Sequence, residues 1–377
     1  MFEYLIFLAI STATFSLFAL GLNLQWGFTG LINFGHIAFM TISAYTTILL
    51  SLQGVPPLLS ILIGSGSAAL LGLVIGFATL RLREDYLAIV TIGTGELIRL
   101  VVNNQDLPVG KTWISGAFGI QSYQIPLSTA PNLFFRLVMI AILTGLTIVT
   151  LATLWRWVRV AHISMNSNTA LVTSIQQEYW TRLGVGIVLG LLTAAIYVSG
   201  VVTLYKYNPK AGLMLLSLLV LTFVFWRLEI LVQSPWGRVL KAIREDEEVP
   251  RALGKNVFWY KLQSLMLGGA IAGLAGAFFA WQLSAIYPDN FQPQLTFDAW
   301  IMVILGGAGK NVGTILGVVI YFAYDAITRE VLPRIVPLDE ARLGAFRIMV
   351  IGLILMVLMI WRPQGILGKK EELTLGK

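Results

Sequence analysis

Long apolar runs separated by short polar stretches dominate the 377-residue chain. Several of them approach the roughly 20 residues that carry a helix across a hydrocarbon layer, and the candidate spans lie at 4–26, 28–50, 57–80, 86–103, 133–155, 183–205, 211–231, 262–285, 297–309, 312–328 and 345–361. None alternates in steps of two as a membrane barrel would, so the spans are expected to be helical. The ninth and tenth are short enough to be half-length or tilted. The predicted fold class is all-α, a polytopic transmembrane bundle of about 10–11 spans. The apolar start, Met1 to Tyr4 onward, lacks a basic head and a cleavage site and reads as a retained first span.

Composition agrees with the pattern. Hydrophobic residues make up 57% and charged residues 12% of the chain, with mean hydropathy +0.80. A soluble domain carries about twice that share of charge. Lipid is therefore the expected solvent and partner. Cysteine is absent and the histidines are two, His36 and His162, which removes disulfides, thiolate metal sites and His-rich clusters. No cofactor or metal is expected on this chain, nor any nucleic-acid partner: the net charge of +7 fits the excess of Lys and Arg on cytoplasmic loops instead.

Those cations orient the chain. Arg238, Lys241, Arg244, Arg251, Lys255 and Lys261 share one polar loop, and Arg362, Lys369, Lys370 and Lys377 close the sequence. Placing both groups in the cytoplasm puts Arg81, Arg83, Arg156, Arg159 and Arg182 inside and the N-terminus outside. Loop 286–296, without Lys or Arg, falls outside as expected. The stretch 329–347, with Arg329, Arg334, Arg342 and Arg347, falls outside by the same count and fits less well. The longer connections are 104–132, expected to form an external cap, and 156–182, expected to be a flexible internal loop.

Loop 232–261 carries the most information. Val239, Leu240 and Ile243 share a helical face, with Arg238, Lys241 and Arg244 on the other. The acidic run Glu245 to Glu248 suits a helix start, Pro250 is tolerated in a first turn, and Gly254 reads as a stop. Two short amphipathic helices are expected, which could dock on a soluble partner, form a solvated loop that merely obeys the positive-inside rule, or lie on lipid. The segment resembles the cytoplasmic coupling loop of the branched-chain amino acid ABC transporter permease family, at Gly237, Arg238, Leu240, Ala242, Ile243, Arg244, Glu245, Asp246, Glu247, Ala252, Leu253, Gly254 and Asn256. In that family the loop contacts the nucleotide-binding subunit.

Other stretches resemble the same family. Gly27, Gly30 and Gly35, with Asn23, Thr29, Asn33 and His36, interrupt an apolar run. They suggest either a broken helix lining a solute path or a tight turn between spans. A lone membrane histidine such as His36 is more often structural. Thr91, Glu96, Arg99, Asn103 and Asn104 match a further family stretch, with Glu96 and Arg99 three apart on one helical face. The glycine-rich segment 305–317 lacks the Lys-Ser/Thr ending of a phosphate loop, since Lys310 is followed by Asn311. It reads as a turn between closely packed spans. Residues 361–368 are similar to the family's C-terminal signature.

The resemblance implies a permease subunit of an ABC importer, not an enzyme, with an N-terminal core at 1–127, a C-terminal core at 211–368 and a tail at 369–377. Segment 128–210, with about two extra spans, is an insertion of the kind seen in enlarged members such as neutral amino acid permeases. Implied partners are two ATP-binding subunits holding ATP and Mg, a homologous second permease in a heterodimer, and a periplasmic solute-binding protein, at a bacterial inner membrane. Expected cargo is branched-chain or other neutral amino acids. The alternatives are urea or short amides, and an ion-coupled carrier using Glu96 or Asp325.

Overall fold

The computed structural model describes residues 2–81, 84–110, 112–167, 172–335 and 339–368. Arg83 and the tail 369–377, with Lys369, Lys370 and Lys377, lie outside the described residues. Thirteen α-helices are described: α1 (Phe2–Leu22), α2 (Ile37–Leu52), α3 (Pro57–Thr79), α4 (Glu84–Asn104), α5 (Leu133–Ser167), α6 (Val172–Lys206), α7 (Pro209–Gln233), α8 (Pro235–Glu245), α9 (Glu248–Ala252), α10 (Val257–Leu283), α11 (Gln294–Gly306), α12 (Asn311–Ile335) and α13 (Glu340–Trp361). Four short strands, β1 (Asp106–Val109), β2 (Thr112–Ser115), β3 (Ile120–Gln121) and β4 (Ala285–Ile286), form two antiparallel pairs, β1–β2 and β3–β4. Apolar segments without water as a hydrogen-bond partner satisfy their backbone internally, and the helix does so within one segment.

Every predicted apolar run contributes a helix, but not every helix is long enough to span. Among the described residues eight helices are long and apolar enough to cross a membrane, or nine when the bent pair around the 307–310 turn counts as one. The expected 10–11 spans shrink because the second run yields only the 16-residue α2, its first third being unwound. The ninth and tenth runs fold back on each other at 117°.

The chain divides into two compact units, Met1–Ile10 with Leu127–Leu219, and Ser11–Pro126 with Val220–Lys377. In the first, α5 and α6 pack along one another, with Thr144 Oγ1 3.2 Å from the Tyr197 hydroxyl. Each has 35 residues, about 52 Å at 1.5 Å per residue, against about 30 Å of hydrocarbon. This corrects the expectation of a flexible 156–182 loop. Its polar residues extend both helices and leave only 168–171 outside the described residues. Exposed Leu133, Phe134, Ile148 and Leu191 give this unit an apolar exterior suited to lipid.

In the second unit α10 is the central post, packed against α2 and α3. Buried Gly268, Gly269, Ala272, Gly273, Ala275 and Gly276 let backbones close in; a Cβ at Gly276 would strike the Met40 carbonyl. At 27 residues α10 measures about 40 Å, so it separates two ends of the unit. One end holds α8 and α9. The other holds β4 and a 3₁₀ turn at Pro288–Phe291. There the β3–β4 pair joins the two loops expected to be external, 104–132 and 286–296.

Candidate functional site

The site has two parts, a polar pair of short helices and a buried break in the first span, joined by one arginine. Pro235 at the first helical position starts α8. Its Leu240 and Ile243 are buried, and Gly237 lies tight against the Val232 carbonyl. The Trp236 indole donates to Gln263 Oε1 of α10 at 2.7 Å. Asp246 is extended, and its carboxylate accepts from the Glu248 amide at 2.9 Å, opening α9. Gly254 closes the pair at φ +74°, a left-handed value that glycine takes without strain. Arg238, Lys241, Glu245, Asp246, Ala252 and Leu253 face outward, while Ala242 and Glu247 are half-buried, Glu247 held by Lys261. Leu253 is 75% and Val249 53% exposed, so α9 offers an apolar tip beside a charged surface.

Arg244 departs from the expected pattern. It does not project with Arg238 and Lys241. It turns inward, donates through Nη1 to the Gly27 carbonyl, and lies over Gly30, whose φ is +80°. Glu245 stays outside, its carboxylate 3.4 Å from Arg244 Nη2. The reason is periodic: 237, 240 and 244 share one helical stripe, so Arg244 follows Gly237 and Leu240 to the packed side. A free carbonyl at a helix break attracts a guanidinium there.

The break begins where α1 widens into a π-helical segment, Asn23–Phe28, followed by non-helical chain to His36. Its freed groups are met by side chains. Thr29 Oγ1 donates to the Leu24 carbonyl at 3.0 Å and lies 2.7 Å from Ser264 Oγ. Asn33 Nδ2 donates to Gln25 Oε1 at 2.9 Å, and Gln25 donates to the Leu265 carbonyl at 3.1 Å. The Asn33 carboxamide oxygen accepts from the Gly35 amide at 2.9 Å. Asn23 reaches across to the turn between α11 and α12: its Oδ1 accepts from the Gly309 amide at 2.9 Å and its Nδ2 donates to Asn311 Oδ1 at 3.2 Å. Asn311 donates in turn to Glu229 Oε1 at 3.1 Å. Asn23, Thr29, Asn33 and His36 are all buried, so in this conformation the break is packed shut. The His36 ring lies on Phe18, centroids 4.7 Å apart, with Nε2 3.1 Å from the Phe18 carbonyl.

The α11–α12 turn is equally tied. Gly307 and Gly309 take φ +114° and +77°, and residues 364–368 strap across it: the Ile366 and Leu367 amides donate to Leu305 and Gly306 carbonyls at 3.1 Å, and Lys310 reaches the Leu367 carbonyl.

On α4, Thr91 Oγ1 accepts from the Phe34 amide at 3.2 Å, and Gly35 lies against the Thr91 carbonyl so closely that no Cβ fits. Glu96 takes Arg99 in two bonds, 3.0 and 2.6 Å. Arg99 also donates to Asp289 Oδ1 at 2.7 Å. The structure thus adds Gln25, Ser264, Asn311, Glu229 and Asp289. For the buried members the available signal was polarity within apolar runs; for Asp289, 190 residues from Arg99, there was none.

Residues 4–359 match a family model described as "Branched-chain amino acid transport system / permease component". The chain is 29% identical over 365 residues to the high-affinity branched-chain amino acid transport system permease protein LivM of Escherichia coli K12, covering 96% of this chain and 69% of that protein. It is 28% identical over 365 residues to LivM of Salmonella typhimurium, with the same coverage. A probable branched-chain amino acid transport permease protein LivM of Methanocaldococcus jannaschii is 28% identical over 160 residues, 41% of this chain and 45% of that one. No solved structure matches the chain significantly. With the matched region running from the first span to the last, the chain is a multi-pass membrane protein and belongs to the branched-chain amino acid transport system permease component family.

Proposed function

We propose that the chain is the membrane-spanning subunit of an ATP-binding cassette importer for branched-chain or other neutral amino acids, and that α8 and α9 are where it receives mechanical work. The single observation that carries this reading is Arg244, which ties the exposed charged helix α8 to the carbonyl of the π-helical break. A push on α8 from a soluble partner would reach Gly27 through one bond, and through Asn23 the turn of α11 and α12. Two ATP-binding subunits holding ATP and Mg would close beneath α8 and α9, at the cytoplasmic end indicated by their basic residues, which puts the N-terminus outside. This chain holds no nucleotide in the scheme.

Opening of the break around Asn23, Gly27, Thr29, Gly30, Asn33 and Gly35 would expose backbone and amide groups to a polar solute, a two-state element biased by nucleotide. Thr91 and Glu96 lie along that path, and His36 acts as a packed hinge. A second, homologous permease completes the path, with a periplasmic binding protein delivering solute to the end formed by β1–β4. An ion-coupled carrier is disfavoured because Glu96 and Asp325, its candidate ion sites, are both occupied by arginine, Asp325 by Arg329 at 2.8 Å.

The test is uptake of labelled leucine into proteoliposomes holding the full complex, with unlabelled amino acids and urea as competitors. ATP-dependent uptake blocked by neutral amino acids is expected. Uptake unchanged without the ATP-binding subunits, or blocked by urea alone, would overturn the assignment.

A further inference from the structure

Two stretches of the sequence, the glycine-rich 305–317 and the closing 361–368, meet where the coupling link ends. That link runs from α8 through Arg244 to the Gly27 carbonyl, and from Asn23 to the Gly309 amide. Its last contact is main chain on main chain. A Cβ at Gly27 would stand 2.5 Å from the Gly309 amide nitrogen, and one at Gly309 would stand 2.7 Å from Arg244 Nη1 and 2.9 Å from the Gly27 carbonyl oxygen. Two residues back in the same turn the pattern repeats. A Cβ at Gly307 would stand 2.8 Å from the Gly368 amide nitrogen, and one at Gly365 would stand 2.6 Å from the Gly307 Cα and from the Ile304 carbonyl oxygen. At Gly27–Gly309 and at Gly307–Gly365, therefore, no side chain stands between the layers that could rotate out of the way. The strap is bonded as well as packed. The Ile366 and Leu367 amides donate to the Leu305 and Gly306 carbonyls, which lie in the last turn of α11 and have no partner within the helix. Lys310, next to Gly309, donates to the Leu367 carbonyl. The strap itself hangs from α13: the Arg362 amide donates to the Leu358 carbonyl at 2.6 Å, and the Gly365 amide to the Arg362 carbonyl at 2.9 Å.

We infer that residues 364–368 are the backstop of the coupling link, positioning the α11–α12 turn so that a displacement of α8 opens the break instead of carrying the turn along with it. Arg244 and Asn23 join α8, the break and the turn. Bonds among such bodies change their relative positions only if one of them is held. In the coupling scheme α8 is the body that is pushed, and the break is the one whose state changes. The turn is then the one that must stay, yet its own residues do not fix it: Gly307 and Gly309 sit at φ +114° and +77°, and glycine leaves such values at little cost. The strap supplies the anchor through two main-chain bonds, the Lys310 bond and the Gly365 contact, and it passes the load to the membrane-spanning α13. Lys310 and Gly365 are its positioning residues, acting through Gly309 and Asn23. This rests on the coupling reading and extends it to α13.

The test measures leucine uptake and phosphate release together, in proteoliposomes holding the full complex, with the unaltered chain, a chain ended at Gly368 and a chain ended at Pro363. Ending at Gly368 removes 369–377 and keeps the strap, whereas ending at Pro363 removes both. In the full-length chain, Gly365→Ala pushes the strap off Gly307, and Lys310→Gln takes away the charged bond to the Leu367 carbonyl while leaving the main chain alone. These two keep the question answerable where the shorter chain fails to assemble. Leucine moved per ATP is expected to be unchanged by ending at Gly368 and to fall several-fold in the three strap variants. A merely structural role would lower the amount of complex but not this ratio in the complex that does assemble. Each strap variant is then combined with Arg244→Gln. Losses along one link are not additive, so the double variant should lose no more than Arg244→Gln alone, whereas independent losses multiply. An unchanged ratio in the strap variants, or losses that multiply with Arg244→Gln, would overturn the backstop. Either result leaves the importer standing as long as the unaltered complex takes up leucine with ATP; no such uptake by the unaltered complex removes both readings.

Discussion

Arg244→Gln isolates the link on which the coupling scheme depends. The substitution takes the guanidinium from the Gly27 carbonyl but leaves Leu240 and Ile243, which seat α8, untouched. A hydrogen bond from a charged group to backbone contributes about 1.5–3 kcal/mol. The Arg244 side chain is 24% accessible and so partly screened, which favours the lower end, about 1.5–2 kcal/mol. Such a loss is about 10- to 30-fold in the equilibrium that ties the position of α8 to the state of the break. The expected phenotype is uncoupling: complexes assemble and hydrolyse ATP, but leucine moved per ATP falls about tenfold or more, and stimulation of hydrolysis by loaded binding protein is lost. Arg244→Lys keeps the charge with one compact donor group and should fall between. The assay is paired uptake and phosphate release in one proteoliposome preparation, with Arg238→Gln as an outward-facing control. Normal transport per ATP in Arg244→Gln would refute the reasoning, because the link through the Gly27 carbonyl would then carry no work.

Three further outcomes follow from packing. Asn23→Ala removes two bonds and leaves the Gly309 amide and Asn311 short of partners; a loss of about 1–3 kcal/mol should appear as a lower thermal unfolding midpoint in nanodiscs, and an unchanged midpoint would show that the break is held elsewhere. Gly35→Ala drives a methyl into the Thr91 carbonyl, an overpacking cost of about 1–3 kcal/mol that should lower folded yield, whereas the same change at Gly54, with nothing within 4 Å, strains only its φ of +92°. Leu240→Ala empties a fully buried site under α8, worth about 2–5 kcal/mol in cavity terms, and should raise protease sensitivity between α7 and α10 in the isolated permease.

The apolar runs, the interruption at 27–36 and the two helices around Pro250 were legible because each is a local matter of period, glycine and proline. The glycine turn at 307–310 was legible for the same reason. Arg244 was misread because its charge was weighed above its place in the 237, 240, 244 stripe. Its partner lies 217 residues away, and no local pattern points there. The 156–182 segment was misread through polarity, which says whether a stretch is wet, not whether it is helical: once a helix leaves the bilayer its own hydrogen bonds still hold. The boundaries expected at 127/128 and 210/211 rest on where the recognised motifs lie, whereas the family match runs through 4–359 without a break. The compact units divide within α1, between Pro126 and Leu127, and within α7.

The π-helical segment at Asn23–Phe28 has a consequence for how the first span can move. Its wider winding holds more residues per turn than the α-helix before it, so it stores slack. Rewinding those turns would lengthen and rotate the span while each amide trades one intrahelical acceptor for the next. A protein in oil can thereby change the reach of a rod without ever baring its backbone, and the stored turn works as a ratchet tooth, not as a joint.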